Sequence, residues 1–248
     1  MEILGIIPAR YSSSRFPGKP LAMINGKTMI QRVYEQVQKS TRITDTIVAT
    51  DDIRIYQEVI SFGGEAMLTS TTHQNGSSRC YEVFEKKNEE RPDFYEAVVN
   101  IQGDEPYINP IQIDQVCDIL IENDAEISTL AKRLYNDDLF DPNTVKVVFG
   151  KSGHALYFSR NPIPFQRSHK KEEWLNHASY YKHIGIYGFT TDALERINSL
   201  KPSRLELNEG LEQLRWLEND LKINVDITEF ESFGIDTPED LEKLINII

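Results

Sequence analysis

The sequence predicts an α/β protein built on a mixed, mostly parallel sheet that is flanked by helices. Short runs rich in Ile and Val alternate with segments of helical periodicity from residue 3 to residue 123, which is typical of repeated βαβ units. The run at 97–101 is nearly continuous in apolar residues, as expected for a strand covered on both faces. With 248 residues, 40% of them hydrophobic, the chain is long enough for one large domain.

The elements of the first half follow in regular order. Strands are predicted at 3–7, 46–50, 65–68 and 97–101, and helices at 29–40, 54–62, 77–87 and 110–123. The strand at 97–101 ends in the polar turn 102–106 (QGDEP). Because ligands bind at the carboxyl ends of strands in open α/β sheets, we expect this turn at the ligand-binding edge.

The pattern is less regular after residue 123, and no element is predicted between 124 and 144. Further strands are predicted at 145–149, 155–159, 183–189 and 223–227, and helices at 191–199, 208–220 and 238–247. Residues 145–190, which include a proline-broken loop, are interpreted as a mixed-sheet excursion that could carry a dimer interface. No repeat or linker divides the chain, so we predict a single domain over 1–248.

Composition excludes several classes of function. A net charge of -12 argues against nucleic-acid or membrane-surface partners, because a polyanion would be repelled. No apolar stretch is long enough for a signal peptide or a membrane span. Cys80 and Cys117 lack metal-ligand spacing, so buried thiols in a reducing cytoplasm are the expectation.

The first strand runs into a loop at residues 8–20 (PARYSSSRFPGKP) that combines hydroxyl groups, one glycine and three cations. Backbone amides, hydroxyls and fixed cations are the groups that neutralise a triphosphate. Arg10 and Lys19 are the strongest candidates and Arg15 is a third; the alternative is an exposed surface loop. The spacing matches neither a Walker motif nor GxGxxG, which argues against a nicotinamide oxidoreductase.

Two aspartates are candidate ligands for Mg²⁺, which prefers hard carboxylate oxygens. Asp104 lies in the polar turn after the strand at 97–101. Asp236 precedes the last predicted helix in the segment 234–241 (GIDTPEDL). For each aspartate the alternative is structural: Asp104 as a turn former or helix cap, and Asp236 as the cap of the last helix.

These motifs together resemble the 3-deoxy-manno-octulosonate (Kdo) cytidylyltransferases along the whole chain. The blocks that carry the resemblance are 7–21 (IPARYSSSRFPGKPL), 48–52 (VATDD), 100–106 (NIQGDEP), 155–160 (ALYFSR), 183–187 (HIGIY), 211–215 (LEQLR) and 234–241 (GIDTPEDL). The resemblance implies a Rossmann-like nucleotide-diphospho-sugar transferase fold, a homodimer and transfer of CMP from CTP to Kdo with release of pyrophosphate. It further implies a role in lipopolysaccharide biosynthesis in a Gram-negative bacterium.

The resemblance also implies residue roles. Arg10, Lys19, Asp104 and Asp236 would be catalytic, and the two aspartates would bind Mg²⁺. The nucleotide would meet Pro8, Ala9, Arg10, Ser12, Arg15, Lys19, Asp51, Gly76, Arg79, Gln102 and Asp104. The sugar acid would meet Gln102, Arg160, His183, Tyr187, Glu212 and Gln213, although His183 and Tyr187 could equally be core residues, and one of Glu212 and Gln213 could be solvated.

One segment departs from the family pattern. Residues 73–79 read HQNGSSR, where the family has a segment similar to Ser-Gly-Thr-Glu/Asp-Arg. Asn75 replaces a serine and Ser78 replaces an acid, so the contacts to cytosine cannot be transferred. Two alternatives stay open: a cytidylyltransferase for an 8-amino Kdo analogue or a sialic-acid-like substrate, and a catalytically silent nucleotide-binding protein.

Overall fold

The computed structural model describes residues 1–13, 15–122, 125–135 and 137–247. Ser14 of the predicted phosphate loop and Asn123, the predicted end of a helix, lie outside the described residues. The strands are β1 Ile3–Ala9, β2 Met23–Ile24, β3 Lys27–Thr28, β4 Asp45–Thr50, β5 Ala66–Leu68, β6 Ala97–Asn100, β7 Ile127–Leu134, β8 Lys146–Phe149, β9 Ala155–Ser159, β10 Tyr180–Thr190 and β11 Ile223–Ile227. The α-helices are α1 Met29–Val37, α2 Ile53–Ser61, α3 Gly76–Glu90, α4 Pro110–Glu122, α5 Trp174–His177, α6 Thr191–Ser199, α7 Arg204–Glu209, α8 Gln213–Glu218 and α9 Pro238–Ile247.

Nine of the described strands form one sheet in the order β11-β7-β10-β6-β1-β4-β5, with β8 on β10 and β9 on β8. Neighbouring pairs are parallel except those that involve β10 and the pair β8–β9. In this described sheet, β9 and β10 therefore run opposite to the other strands. The predicted α/β class with a mixed, mostly parallel sheet is confirmed.

Helices cover both faces of the sheet because side chains alternate along each strand. Ile3 and Ile7 of β1 join a core cluster with α1, α2 and α4, whereas Leu4 and Ile6 join the cluster that contains α3, α6 and α8. This alternation is the period of two expected of a strand with helices on each side. Cys80 and Cys117 are buried free thiols in these two clusters, as predicted.

Strand β7 is a correction to the sequence prediction, which placed no element between 124 and 144. Its run of apolar residues is interrupted by Ser128 and Thr129, and both side chains are fully buried. The Ser128 hydroxyl donates to the Val116 carbonyl at 2.8 Å, and the Thr129 hydroxyl donates to the Ile186 carbonyl at 2.7 Å. These hydrogen bonds offset the cost of burying the hydroxyls, which the apolar pattern alone cannot reveal.

The single helix predicted at 208–220 is also wrong. The structure has two short helices, Arg204–Glu209 and Gln213–Glu218. Gly210 ends the first of them in a left-handed conformation with φ of 62°. Glycine reaches this region without a Cβ clash, so it is a common helix terminator.

The parallel strands β1, β4 and β6 bring three loops to one edge of the sheet. Residues Ala9, Thr50 and Asn100 end these strands, and the loops 10–20, 51–52 and 101–109 begin there. The segment before α9 reaches the same edge, because the Ile235 amide donates to the Asp104 carbonyl at 3.0 Å. Within the described ranges, no helix has the length and apolar character needed to cross a bilayer.

Candidate functional site

A cavity of about 310 Å³ opens at this edge of the sheet. One wall comes from the loop after β1, a second from the start of α3, and the floor from the turn after β6. The lining residues are Pro8, Ala9, Arg10, Ser13, Arg15, Lys19, Pro20, His73, Gln74, Asn75, Gly76, Arg79, Gln102, Gly103, Asp104 and Asp236. Ten of these belong to the predicted site; of the predicted nucleotide residues, Ser12 and Asp51 do not line the cavity.

The loop after β1 folds into a tight turn around the Tyr11 carbonyl. This carbonyl accepts hydrogen bonds from the amides of Ser13 and Gly18, both at 2.9 Å. Gly18 has φ of 71° and packs so closely on the Tyr11 ring that a Cβ would lie 3.0 Å from it. The turn directs Arg10 and Lys19 to the cavity, and Arg10 is exposed there without an ion pair to any residue the structure describes.

The two predicted metal-binding aspartates meet around the ammonium of Lys19. The Nζ atom of Lys19 lies 2.6 Å from Asp104 Oδ2 and 3.6 Å from Asp236 Oδ1, and it also donates to the Ile235 carbonyl at 2.6 Å. Arg15 Nη2 lies 3.0 Å from Asp236 Oδ1. The structure thus brings two cations of the loop after β1 together with two carboxylates that lie more than 80 residues further along the chain.

Asp236 does not cap the last helix, which was the structural alternative for this residue. The cap is formed by Thr237 and Asp240: the Asp240 amide donates to the Thr237 hydroxyl at 3.2 Å, and the Thr237 amide donates to Asp240 Oδ2 at 3.0 Å. The Asp236 side chain is half exposed and faces the cavity.

Asp104 and Asp236 are the only carboxylates among the described residues that line this cavity, so they are the candidate ligands for a magnesium ion. Both carboxylates lie within ion-pair distance of one ammonium group, so they converge on one cation-sized position. Over the residues with described positions, no group of three or more acidic, His or Cys side chains is arranged to hold a metal. Mg²⁺ is commonly held by one or two carboxylates together with water and substrate phosphates, so two aspartates are sufficient.

The second wall is held by a buried ion pair. Arg79 is 3% exposed and donates from Nη2 to Asp51 Oδ2 at 2.9 Å and from Nη1 to the Thr69 hydroxyl at 2.5 Å. Asp51 therefore acts behind the wall, through Arg79. Asn75 caps α3, because its Oδ1 accepts from the Ser78 amide at 2.9 Å.

His73 lines the cavity and is fixed at both ring nitrogens. Nε2 lies 2.5 Å from Glu82 Oε2 and Nδ1 lies 3.1 Å from the Ser78 hydroxyl. Burial raises the pKa of Glu82, but hydrogen bonds from Lys86, His73 and the Ser70 amide outweigh it and lower that pKa to about 2. Ser78, which departs from the family pattern, thus supports the wall through His73.

Gly103 is needed for the close approach of two loops, and we predict that Gly103→Ala is destabilising. A Cβ at this position would lie 2.6 Å from the Pro8 carbonyl oxygen, which is a backbone atom and cannot rotate away. We expect the free energy of unfolding to fall by about 1–3 kcal/mol, measured by urea unfolding. Gly150→Ala is the control, since a Cβ there would lie 3.9 Å from the nearest atoms and this glycine has no positive φ, so it should cost less than about 0.5 kcal/mol. Equal losses in the two variants would contradict the prediction.

The predicted sugar-acid residues differ in where the structure places them relative to the cavity. Gln102 lines the cavity and donates from Nε2 to the Gly185 carbonyl at 3.0 Å. The Arg160 guanidinium instead donates to the backbone carbonyls of Glu209, Pro142 and Gly210 at 2.6, 2.9 and 3.3 Å. Arg160 thus lines neither of these two cavities and instead binds two turns of its own chain, at 142 and at 209–210.

The other four predicted sugar-acid residues lie behind the floor and the second wall. His183 and Tyr187 are ring neighbours 5.1 Å apart, and the His183 Nε2 lies 2.9 Å from the Thr129 hydroxyl. Burial lowers the pKa of His183 to about 3. Glu212 accepts a hydrogen bond from the Ser77 hydroxyl at 3.1 Å, and Gln213 is 6% exposed, so neither is a free surface group.

A second cavity of about 610 Å³ adjoins the first and shares Arg15 and Asp236 with it. Its lining includes His183, Glu105, Lys182 and Ser232. Burial raises the pKa of Glu105 to about 7, and its carboxylate accepts a hydrogen bond from the Ser232 hydroxyl. Glu105 was not among the predicted site residues, although it follows Asp104 in the same polar turn.

Glu212 is expected to make stability depend on pH. Burial raises its pKa from 4.5 to about 7. Between pH 4.5 and pH 7 the folded protein therefore holds a proton that the unfolded chain releases. The contribution of protonated Glu212 to the free energy of unfolding is complete below pH 4.5 and is lost as the pH rises through 7. We predict that Glu212→Gln reduces the fall in the free energy of unfolding between pH 5 and pH 8, measured by urea unfolding.

Glu35→Gln is the control for the pH experiment. Because the hydrogen bond from Lys27 lowers the pKa of Glu35 below 4.5, its contribution is present above pH 4.5 and is lost only in more acidic solution. This variant should lose the same stability at pH 5 and pH 8. An unchanged pH dependence in Glu212→Gln would contradict the assignment.

Comparisons with known proteins agree on one family. The family profile described as cytidylyltransferase matches residues 4–223. The 3-deoxy-manno-octulosonate cytidylyltransferase of Parabacteroides distasonis is 52% identical over 99% of this chain and 97% of its own length, and that of Cytophaga hutchinsonii is 50% identical over 98% and 96%.

A solved CMP:2-keto-3-deoxy-manno-octonic acid synthetase complexed with CTP superposes with a TM-score of 0.90 at 37% identity, covering 100% of this chain and 98% of that one. A cytidylyltransferase from Leptospira borgpetersenii shares the fold alone, with a TM-score of 0.64 at 18% identity over 99% of this chain and 85% of that one.

Proposed function

This chain belongs to the cytidylyltransferase family, and we propose that it transfers CMP from CTP to Kdo with release of pyrophosphate. The observation that carries the proposal is the meeting of Asp104 and Asp236 opposite a cationic loop at the carboxyl edge of the sheet. The substrates are those that name the full-length relatives at about 50% identity, and the solved relative was complexed with CTP.

CTP would lie in the first cavity with its triphosphate along the loop after β1. Arg10 is unpaired among the residues described, and Arg15 and Lys19 are the other cations of that wall. Charge-assisted hydrogen bonds from such groups stabilise the negative charge that grows on departing pyrophosphate. The opposite wall offers Gln74 and Asn75, with Arg79 neutralised by Asp51, and suits the uncharged base and ribose better than phosphate.

Asp104 and Asp236 would hold the magnesium ion. When bound, Mg²⁺ neutralises phosphate charge and lowers the pKa of the attacking hydroxyl. Lys19 would keep the two carboxylates close together before metal and nucleotide arrive, since its ammonium contacts both.

Kdo would bind beside the floor of the nucleotide cavity, near Gln102, His183, Tyr187, Glu212 and Gln213. The Tyr187 hydroxyl is buried and has no hydrogen-bond partner among the residues the structure describes. A polyhydroxylated acid supplies both donors and acceptors for such groups. Arg160, whose guanidinium is engaged by backbone carbonyls, would support this region by holding residues 142, 209 and 210 in place.

The reaction follows from this placement. The anomeric hydroxyl of Kdo attacks the α-phosphorus of CTP in line, the new P–O bond forms, and the bond to pyrophosphate breaks. The hydroxyl proton passes to solvent, and no side chain forms a covalent intermediate. The residues of the site contribute by holding the two substrates in this alignment and by stabilising charge.

The wider context is also a proposal. The product would serve lipopolysaccharide biosynthesis in the cytoplasm, and the chain would act as a homodimer through residues 145–190. This segment supports the dimer because it exposes large apolar side chains, with Leu156 65% and Phe165 73% exposed. Such groups are typical of a surface that is covered in an assembly.

A pyrophosphate-release assay with CTP, Mg²⁺ and Kdo tests the proposed function. We expect release only when all three are present, and a much lower rate with UTP. Parallel reactions with 8-amino Kdo and a sialic acid identify the preferred acceptor. Preference for either analogue would change the substrate assignment, and no release with any acid would overturn the enzymatic function.

A further inference from the structure

Asn100 has a buried polar atom that forms no hydrogen bond within the described part of the protein. It is the last residue of β6 and is 3% exposed. Its Oδ1 atom is inaccessible to solvent and accepts no hydrogen bond from any described residue. Because the great majority of buried side-chain polar atoms are paired, an unpaired amide oxygen in a strand needs an explanation.

Two neighbouring side chains have the same property. Tyr187 is the register partner of Asn100 across β6 and β10, and its hydroxyl is unpaired within the described part of the chain. The Trp216 ring packs edge-on against Tyr187 at 4.9 Å, and its Nε1 is likewise unpaired. One acceptor, one hydroxyl and one donor are therefore left unsatisfied on three adjoining residues.

This group adjoins the nucleotide cavity. A Cβ on Gly76, which lines that cavity, would lie 3.1 Å from Asn100 Nδ2 and 3.5 Å from Oδ1. The next residue, Ser77, contacts Glu212. Asn100 thus has the Gly76 wall of the first cavity on one side and Tyr187, a residue of the proposed Kdo site, on the other.

We propose that Asn100 is a further substrate-binding residue that accepts a hydrogen bond from a hydroxyl of the sugar acid. The proposal rests on the proposed function and adds a residue to its acceptor site. An unpaired oxygen selects a group that donates, which the hydroxyls of a sugar acid and of the CTP ribose do and a phosphate oxygen does not. The position of Asn100 opposite Tyr187, a residue of the proposed Kdo site, favours the sugar acid over the ribose. In the free protein Asn100 Oδ1 lacks a hydrogen-bond donor, and the bound sugar acid would supply one.

Asn100→Leu tests the proposal because it removes the amide at similar size. We expect the KM for Kdo to rise at least about 10-fold while the KM for CTP changes less than about 2-fold. The thermal midpoint of the free protein should stay the same or rise, because a buried unpaired oxygen is replaced by an apolar group. Asn100→Ala, which introduces no new bulk, should show the same split between the two KM values.

Thr46→Val is the matched control. Thr46 is 4% exposed, and its hydroxyl is also buried without a partner in the described chain, but it lies near the amino end of β4, away from the carboxyl edge of the sheet where Asn100 ends β6. Its KM values should equal those of the wild type. An unchanged KM for Kdo in both Asn100 variants, or equal changes for CTP and Kdo with a lower thermal midpoint, would assign Asn100 a structural role and overturn the proposal.

The two proposals fail in different ways. A wild-type protein that releases no pyrophosphate with any acid overturns the proposed function, and the assignment of Asn100 with it. An active wild type whose Asn100 variants keep their KM for the acid overturns only the assignment of Asn100.

Discussion

Asp104→Asn is expected to lower the turnover number by at least about 10²-fold. An amide is a much weaker ligand for Mg²⁺ than a carboxylate, and the change also removes the negative partner of Lys19, 2.6 Å away. Steady-state pyrophosphate release at saturating CTP and Kdo, repeated over a range of Mg²⁺ concentrations, measures the effect. Asp236→Asn should behave in the same direction, because both carboxylates face one cation position.

Asp226→Asn is the control for this experiment. Asp226 lies on β11, is exposed, and its carboxylate accepts from the amide of the next residue. Its turnover should match the wild type. An Asp104→Asn protein with near-normal turnover would remove Asp104 from the catalytic site.

The second large effect is expected on stability. Asp51→Asn should lower the free energy of unfolding by about 3 kcal/mol, because it leaves the buried Arg79 guanidinium without its counter-charge. The same change should weaken CTP binding, since Arg79 lines the first cavity, where CTP is proposed to bind. Urea unfolding and the shift of the thermal midpoint by CTP measure the two effects.

The adjacent aspartate provides a matched control. Asp52 pairs with Arg54, whose side chain is 53% exposed, and it caps α2 by accepting from the Arg54 amide. Asparagine preserves the cap, so Asp52→Asn should cost less than about 1 kcal/mol. Equal losses of stability in the two variants would show that the contribution of the Asp51–Arg79 ion pair to the free energy of unfolding does not depend on its burial.

The parallel part of the fold was predictable because its strands are locally encoded. In β1, β4 and β6 apolar residues form short runs between helical segments, and the structure has strands at these positions. Strand β7 was missed because Ser128 and Thr129 are satisfied by carbonyls of α4 and β10, which reach these hydroxyls only when the elements pack together. The break between α7 and α8 was missed although Gly210 marked it.

The candidate site was predictable where one segment carries the chemistry. The loop after β1 and the turn with Asp104 follow strands directly, so their place at the edge of the sheet follows from the βα pattern. The roles of the predicted sugar-acid residues were harder to predict from the sequence, because these residues differ in their burial, which is known only from the folded structure. Arg160 contacts carbonyls of residues 142, 209 and 210, and no local pattern indicates that.

The sequence by itself determined the α/β class, the cationic loop after β1 and the choice of Asp104 as a candidate metal ligand, whereas Asp236 was chosen through the resemblance to the Kdo cytidylyltransferases. Periodicity, side-chain charge and position after a strand are properties of short segments, so they can be recognised without a fold. Only the tertiary structure decided that Asp236 faces Lys19 while Thr237 and Asp240 cap the helix, and that Asn100, Tyr187 and Trp216 share unpaired polar atoms. These facts depend on contacts between residues far apart in the chain, because hydrogen-bond satisfaction is a property of the packed protein.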